Sequence, residues 1–320
     1  MSTAHPHPAI APALIGWFAE NARDLPWRRP GFTAWGTLVS EFMLQQTPVS
    51  RVIPRLDEWL ARWPTPAALA ADSPGDAVRA WQSLGYPRRA LWLHATAVAI
   101  VERHGGVVPR EVDALLALPG VGDYTARAVA AFAYGERHPV VDTNIRRVIA
   151  RAVAGQAEPA PPSIRRDLAA MSQLLPDEKV AARSFNAAIM ELGATVCTAR
   201  APRCEACPIS EYCEWRGAGF PGYDGPRKAV QKKYEGSDRQ VRGLILAALR
   251  AAPDAAAPHA LAPGTRPPEP PRPGPTSRHG SVTAADIAAL WPDDEQRDRA
   301  LAGLVSDGLA AVTATGYALP

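Results

Sequence analysis

Apolar side chains recur at a spacing of three to four residues through most of the chain before residue 224, the interval that lines one face of an α-helix. Ile10, Leu14, Trp17 and Phe18 mark one such face. The pattern predicts a second helix over residues 35–46 and a third running from Thr47-Pro48 to about Trp63. In that third helix Thr47 reads as an N-cap followed by proline at the first helical position, and Val52, Ile53, Leu56, Leu60 and Trp63 form the inner face. Pro54 should distort its first turns. Ser73-Pro74 repeats the cap-then-proline signal and opens a helix toward Trp81, and Gly85-Tyr86-Pro87 breaks the chain. Further helices are expected over residues 88–104, 112–118, 125–134, 144–153, 163–174 and 180–192, with Thr143 capping the 144–153 helix. No alternating strand pattern precedes residue 224, so the fold class is all-α.

Beyond Tyr223 the pattern changes. Residues 224–252 form a connector carrying Arg227, Lys228, Lys232 and Lys233, followed by a short helix over 238–250. Residues 253–281 read as a linker: nine prolines between 253 and 275 leave no room for packed structure. Residues 282–320 recover periodicity as two helices and a short hairpin, and with the 238–250 helix they would make a small winged-helix-like module.

Composition narrows the function classes. A chain of 320 residues is long enough for two or three domains. The formal charge of +3 permits a nucleic-acid partner without demanding one. No basic-then-apolar leader and no run of about 20 apolar residues is present, so a soluble, cytoplasmic protein with no membrane partner is expected.

Leu118-Pro119-Gly120-Val121-Gly122 joins two short helices. Its glycines permit close backbone approach, and the helix that follows points unpaired amides outward, a ready phosphate site. A plain tight turn is the alternative. Asp142 leaves the apolar segment Pro139-Val140-Val141 and stops just before a helix. An aspartate there caps the helix, or it is a carboxylate held ionised by the helix amides; if Thr143 caps, Asp142 is free for chemistry. Glu41 lies inside the apolar run Leu38-Val39-Ser40-Glu41-Phe42-Met43-Leu44. It either faces solvent or is a buried acid of raised pKa that can donate a proton at neutral pH. A protonated acid and an ionised carboxylate together can break a glycosidic bond. A phosphate-gripping turn beside them suggests a sugar belonging to DNA, with the base flipped out of the duplex.

Cys197, Cys204, Cys207 and Cys213 are separated by six, two and five residues. Four thiols in a short loop enclose one zinc ion or one cuboidal cluster. The first gap is wide for zinc knuckles, which favours a [4Fe–4S] cluster in a structural or redox-sensing role.

These motifs resemble the helix-hairpin-helix DNA glycosylases that carry an iron–sulfur cluster. Glu41-Phe42-Met43-Leu44-Gln45-Gln46-Thr47, Leu25-Pro26-Trp27-Arg28, and Tyr124 where the endonuclease III branch carries a catalytic lysine narrow the resemblance to the adenine glycosylase (MutY) branch. It covers roughly residues 10–220. It implies a six-helix barrel domain over residues 31–136 and a cluster domain built from 1–30 and 137–223. It further implies a monomer associated with the nucleoid, acting on double-stranded DNA with adenine opposite 8-oxoguanine or guanine. In that picture Glu41 protonates the flipped adenine, Asp142 stabilises the anomeric carbon, and Tyr124 and Asn144 support the carboxylate and its water. Arg23, Leu25, Trp27 and Gln46 line the adenine pocket or face its neighbours. Tyr86 wedges into the base stack. Leu118, Gly120, Val121 and Gly122 hold the backbone. With no lysine at position 124, strand cleavage should be weak or absent.

Two features depart from the pattern. Pro87 stands where the branch has a second tyrosine. Residues 224–320 are too short and proline-broken for the C-terminal domain that reads 8-oxoguanine elsewhere in the branch through a Phe-Ser-His loop, and Ser277-Arg278-His279 is a poor substitute. Two other functions compete: a thymine or uracil mismatch glycosylase on the same scaffold, and a non-catalytic, redox-responsive DNA-binding protein.

Overall fold

The computed structural model describes residues 7–225, 233–253 and 280–320. Most of the proline-rich linker, the Ser277-Arg278-His279 segment and connector residues 226–232 lie outside these. Fifteen helices follow in order among the described residues: α1 (Ile10–Asn21), α2 (Ala34–Leu44), α3 (Val49–Arg62), α4 (Pro66–Ala71), α5 (Pro74–Trp81), α6 (Arg88–His104), α7 (Val112–Leu116), α8 (Asp123–Phe132), α9 (Thr143–Ala152), α10 (Ile164–Leu174), α11 (Lys179–Thr195), α12 (Glu214–Gly217), α13 (Asp238–Ala251), α14 (Ala284–Ala288) and α15 (Asp294–Ser306). Strands β1 (Ala311–Thr313) and β2 (Gly316–Ala318) pair antiparallel, with Val312 opposite Tyr317. No described helix is long and apolar enough to cross a membrane.

The chain divides into two compact units, residues 1–42 with 108–228 and residues 43–107 with 229–320. In the first unit α11 packs on α1 and α9. Ile10 and Leu14 of α1 meet Ile145 and Val148 of α9 and Phe185, Ile189 and Leu192 of α11, all fully buried, with Trp17 and Phe18 at the margin. The face read from Ile10, Leu14, Trp17 and Phe18 is therefore the buried one. Ile209 extends the same core beneath the cysteine loop. A smaller core of Ala128, Ala131 and Val140 seats α8.

In the second unit α6 packs on α4 and α5, and α13 on α15. Trp59, Trp63 and Trp81 are buried with ring centroids 4.6 and 5.7 Å apart in edge-on pairs. Such pairs add about 0.5–1.5 kcal/mol each beyond their area. Ser73 starts α5 with a reciprocal capping box to Asp76. Toward the C-terminus, Val241, Ile245 and Leu249 of α13, Ile287 of α14 and Leu304 of α15 are buried, and a bridge from Val282 to Tyr317 extends the hairpin.

Some boundaries differ from expectation for local reasons. The second helix stops at Leu44 because Gln46 takes a left-handed φ of 55°. Thr47 does not cap α3; its hydroxyl donates instead to the Leu84 carbonyl at 3.0 Å. Pro54 sits inside α3 without ending it. Helix α4 was not anticipated, although Thr65-Pro66 is another cap-then-proline signal, with the Thr65 side chain accepting from the Ala68 amide.

Candidate active site

Glu41 lies on α2 among Leu38, Val39 and Phe42, none of which is exposed, and is itself 6% exposed. It is thus a buried acid and not part of a solvent face. Its Oε2 has no hydrogen-bond partner, and the Tyr124 hydroxyl shares a hydrogen bond with the carboxyl group. Burial raises the Glu41 pKa to about 7; the Tyr124 bond opposes the rise and the Asp142 charge adds to it. Tyr124, two residues beyond Gly122, is held neutral: burial and then the Glu41 and Asp142 charges push its phenol well above the ordinary range. It therefore serves as a proton donor in a hydrogen bond and cannot supply an amine.

Asp142 is the N-cap of α9. Its Oδ1 accepts from the Ile145 amide at 2.7 Å, and its Oδ2 accepts from the Asn144 side-chain amide at 2.9 Å. This corrects the expectation that Thr143 caps the helix and frees Asp142. The two roles coexist because a carboxylate has about four lone-pair sites. Burial raises the Asp142 pKa, while Ile145, Asn144 and the Arg147 charge pull it back. The two carboxyls thus differ in environment: Glu41 is raised chiefly by burial, while Asp142 is also held by hydrogen bonds that favour its ionised form.

Behind Asp142 runs a chain of contacts that sequence reading missed. The Arg147 guanidinium donates to Asn144 Oδ1 at 2.8 Å, to the Gly193 carbonyl at 2.6 Å and to the Cys197 carbonyl at 2.7 Å. A Cβ on Gly193 would sit 2.8 Å from the Asn144 Cβ, so only glycine lets α11 approach α9 this closely. The signal was present: an isolated glycine inside an apolar helix marks close packing.

The hairpin is anchored by its apolar members, with Leu118 and Val121 buried and Gly120 and Gly122 exposed. Gly120 takes φ +72°, and Gly122 opens α8 with no side-chain cap. The first amides of α8 thus have no side chain of the chain itself to satisfy them, as a phosphate site requires. On the N-terminal loop, Leu25 is buried and Trp27 half-buried. Arg23 is committed to Glu191, with Nε to Oε1 at 2.6 Å and a second bond at 2.8 Å, and Arg28 joins at 2.8 Å. Burial would raise the Glu191 pKa, but these two arginines outweigh it and hold the carboxyl below its ordinary range.

In the second unit Gln46 and Tyr86 come together. Both take left-handed φ, 55° and 47°, and the Tyr86 hydroxyl donates to Gln46 Oε1 at 2.8 Å. Beneath them the buried Arg89 donates to the carbonyls of Gln45 and Gly85, at 2.5 and 3.0 Å, and to the Thr47 hydroxyl at 3.2 Å. Two strained turns are thereby tied to one guanidinium, while the Tyr86 ring stays 56% exposed.

The four cysteines are unpaired by disulfides and line one small cavity of about 30 Å³ together with Arg151, Val196 and Trp215. A single tetrahedral zinc would draw its sulfurs to ~3.8 Å from one another, from a Zn–S distance of about 2.3 Å. The all-thiol donor set, with gaps of six, two and five residues, fits a cuboidal cluster. Burial pushes the Cys207 thiol up to about 11, so this thiol holds its proton and metal must displace it. Arg151, 4% exposed, donates to Cys197 Sγ at 3.5 Å and stacks 4.7 Å over the Trp215 ring, bringing a positive charge to the thiolates.

This is the equipment of base excision repair. Residues 39–173 match the model of the HhH-GPD superfamily base excision DNA repair protein, and residues 197–213 match that of the iron-sulfur binding domain of endonuclease III. The cysteines accordingly hold a [4Fe–4S] cluster. The adenine DNA glycosylase of Mycobacterium tuberculosis (strain ATCC 25618 / H37Rv) is 50% identical over 309 residues, 96% of this chain and 92% of its own. That of Mycolicibacterium smegmatis (strain ATCC 700084 / mc(2)155) is 51% identical over 310 residues, 96% and 95% of the two chains. The chain belongs to the adenine DNA glycosylase family. Among solved structures, a thermostable thymine-DNA glycosylase aligns with a TM-score of 0.60 at 28% identity, covering 66% of this chain and 96% of that one.

Proposed function

We propose that this glycosylase removes adenine from double-stranded DNA where it stands opposite 8-oxoguanine or guanine, and that it leaves the strand uncut. The observation that carries this reading is the pairing of a buried Glu41, with a pKa of about 7, with Asp142, whose carboxylate is held by the Ile145 amide and the Asn144 side chain. Adenine is a poor leaving group until its imidazole ring is protonated, and Glu41 supplies that proton near neutral pH. The bond between N9 and C1′ then breaks, and positive charge develops on the sugar. Asp142, braced by Asn144, stabilises that charge or bonds transiently to C1′; water then takes the anomeric position and gives its proton to the Glu41 carboxylate. Tyr124 keeps Glu41 in place and offers no amine, so no Schiff base forms and no strand is cut.

The hairpin at Leu118, Gly120, Val121 and Gly122 grips the backbone, and Tyr86 with Gln46 and Thr47 forms the wedge that opens the stack. Arg23, Leu25 and Trp27 border the adenine pocket, with Arg23 held by Glu191. Residues 31–136 serve as the barrel domain, and 1–30 with 137–223 as the cluster domain. The protein acts as a monomer on chromosomal DNA in the cytoplasm. The [4Fe–4S] cluster fixes the loop between Cys197 and Cys213.

The test is excision from two duplexes, one with adenine opposite 8-oxoguanine and one with thymine opposite guanine, followed by alkali to reveal abasic sites. Adenine release alone is expected. Thymine release alone would move the chain to the thymine specificity of its structural neighbour. Tight binding without release would leave a DNA-binding protein.

A further inference from the structure

The C-terminal module has no role in the chemistry above, yet its contacts fall in one place. Tyr86 sits on the loop between α5 and α6. That loop is strained: Gln82, Gly85 and Tyr86 all take positive φ, at 44°, 84° and 47°. A loop of this kind keeps its shape only if its two stems are held.

The module holds both stems. On the α5 side, Arg250 of α13 donates through Nε to the Val78 carbonyl at 3.0 Å, and Arg79 reaches back to the carbonyls of Arg250 and of Ala252, the latter at 3.0 Å. Two arginines thus cross between α5 and the end of α13. On the α6 side, Asp307 pairs with Arg88 at 3.2 Å and also with Arg242 of α13. Asp307 is the C-cap of α15, where a negative charge opposes the helix dipole. Its place is explained by the two arginines it meets, one of them two residues from Tyr86. The next residue, Gly308, turns at φ +69°, and a Cβ there would be 3.8 Å from Leu91 of α6.

We infer that the C-terminal module, residues 238–253 with 280–320, is a clamp on the Tyr86 loop: it grips α5 at Val78 and Arg79 and α6 at Arg88 and Leu91, and so fixes how Tyr86 is presented to the base stack. The inference rests on the wedge reading of Tyr86 given above. It makes Asp307 and Arg250 positioning residues for base flipping, far along the chain from the loop they serve.

The experiment uses the full chain with its cluster. Asp307→Asn and Arg250→Met are compared with wild type and with Tyr86→Ala on two substrates. In the first, adenine pairs with 8-oxoguanine and a 2-aminopurine beside the mismatch reports unstacking. In the second, adenine stands opposite a one-nucleotide gap, where the stack is already open. Asp307→Asn and Arg250→Met are expected to cut the fluorescence rise and the single-turnover rate on the mismatch by about fivefold, and to keep the wild-type rate on the gap. A control melt identifies any variant that has simply lost stability. If Arg250→Met does not fold, Asp307→Asn, at a half-buried carboxylate, carries the test alone. If Tyr86→Ala slows mismatch excision while the clamp variants match wild type, or slow both substrates equally, the clamp is overturned. If Tyr86→Ala leaves mismatch unstacking unchanged, the wedge reading falls and the clamp falls with it. Release of adenine from either duplex by wild type keeps the glycosylase reading independent of both results.

Discussion

The buried state of Glu41 sets up a measurable conflict between stability and catalysis. With a folded pKa of about 7 against an unfolded reference of 4.5, the native state holds a proton that the unfolded chain gives up earlier. Below pH 4.5 both states are protonated and Glu41 costs nothing. From pH 4.5 to 7 only the unfolded chain ionises, and folding is disfavoured by ~1.4 kcal/mol for each pH unit. Above pH 7 both states are ionised and the penalty levels off at about 3 kcal/mol. Glu41→Gln removes this titration. Its amide brings a constant cost of about 1–2 kcal/mol, because the Oε2 position has no partner to accept its N–H. The constant cancels when the mutant-minus-wild-type difference is compared between pH 5 and pH 8. That difference should favour the mutant by about 2–3 kcal/mol more at pH 8, or roughly 5–10 °C in melting midpoint at one scan rate. Excision of adenine by the same variant should be lost at both pH values. An equal shift in midpoint at pH 5 and pH 8 would show that Glu41 is not buried as an acid, and the proton-donor assignment would go with it.

Four further outcomes are expected. Asp142→Asn should abolish adenine release while keeping mismatch binding and melting temperature, because an asparagine oxygen still accepts the Ile145 amide; this is read by excision and band-shift assays side by side. Gly193→Ala should lower the single-turnover rate about tenfold by pushing Asn144 and Asp142 away from the sugar, with the [4Fe–4S] absorbance unchanged. Borohydride added during turnover should trap no covalent protein–DNA adduct, since Tyr124 has no amine to reduce onto the sugar. Purified protein should carry about four irons and a visible absorbance shoulder, both lost in Cys207→Ser.

Much of the site was legible because its parts are local. Glu41 stood out as a charge within an apolar helix, and Asp142 as an acid at a helix start; the structure buries both and brings their charges within reach of each other. The four cysteines lay in one loop, so spacing alone limited what they could hold. What escaped was set by contacts between distant segments. Thr47 carried a sound capping signal, but Leu84 and Arg89 claimed its hydroxyl from 37 and 42 residues away. Arg147 had no motif, and Gly193 carried only the weak signal of an isolated glycine in an apolar helix, because their importance lies in the approach of α9 to α11. The clamp on the Tyr86 loop joins residue 88 to residue 307, and nothing in either neighbourhood announces the other.

Asp142 caps the start of a helix and, in the proposed reaction, also meets the sugar, which has a consequence for reading natural variation. A change to asparagine at this position leaves the cap intact, so the protein would accumulate and melt normally while doing no repair. Screens that score variants by abundance or thermal shift are blind to it. A protein so altered would also remain bound to its mismatches and shield them from other repair enzymes, making the loss dominant where a truncated chain would be recessive.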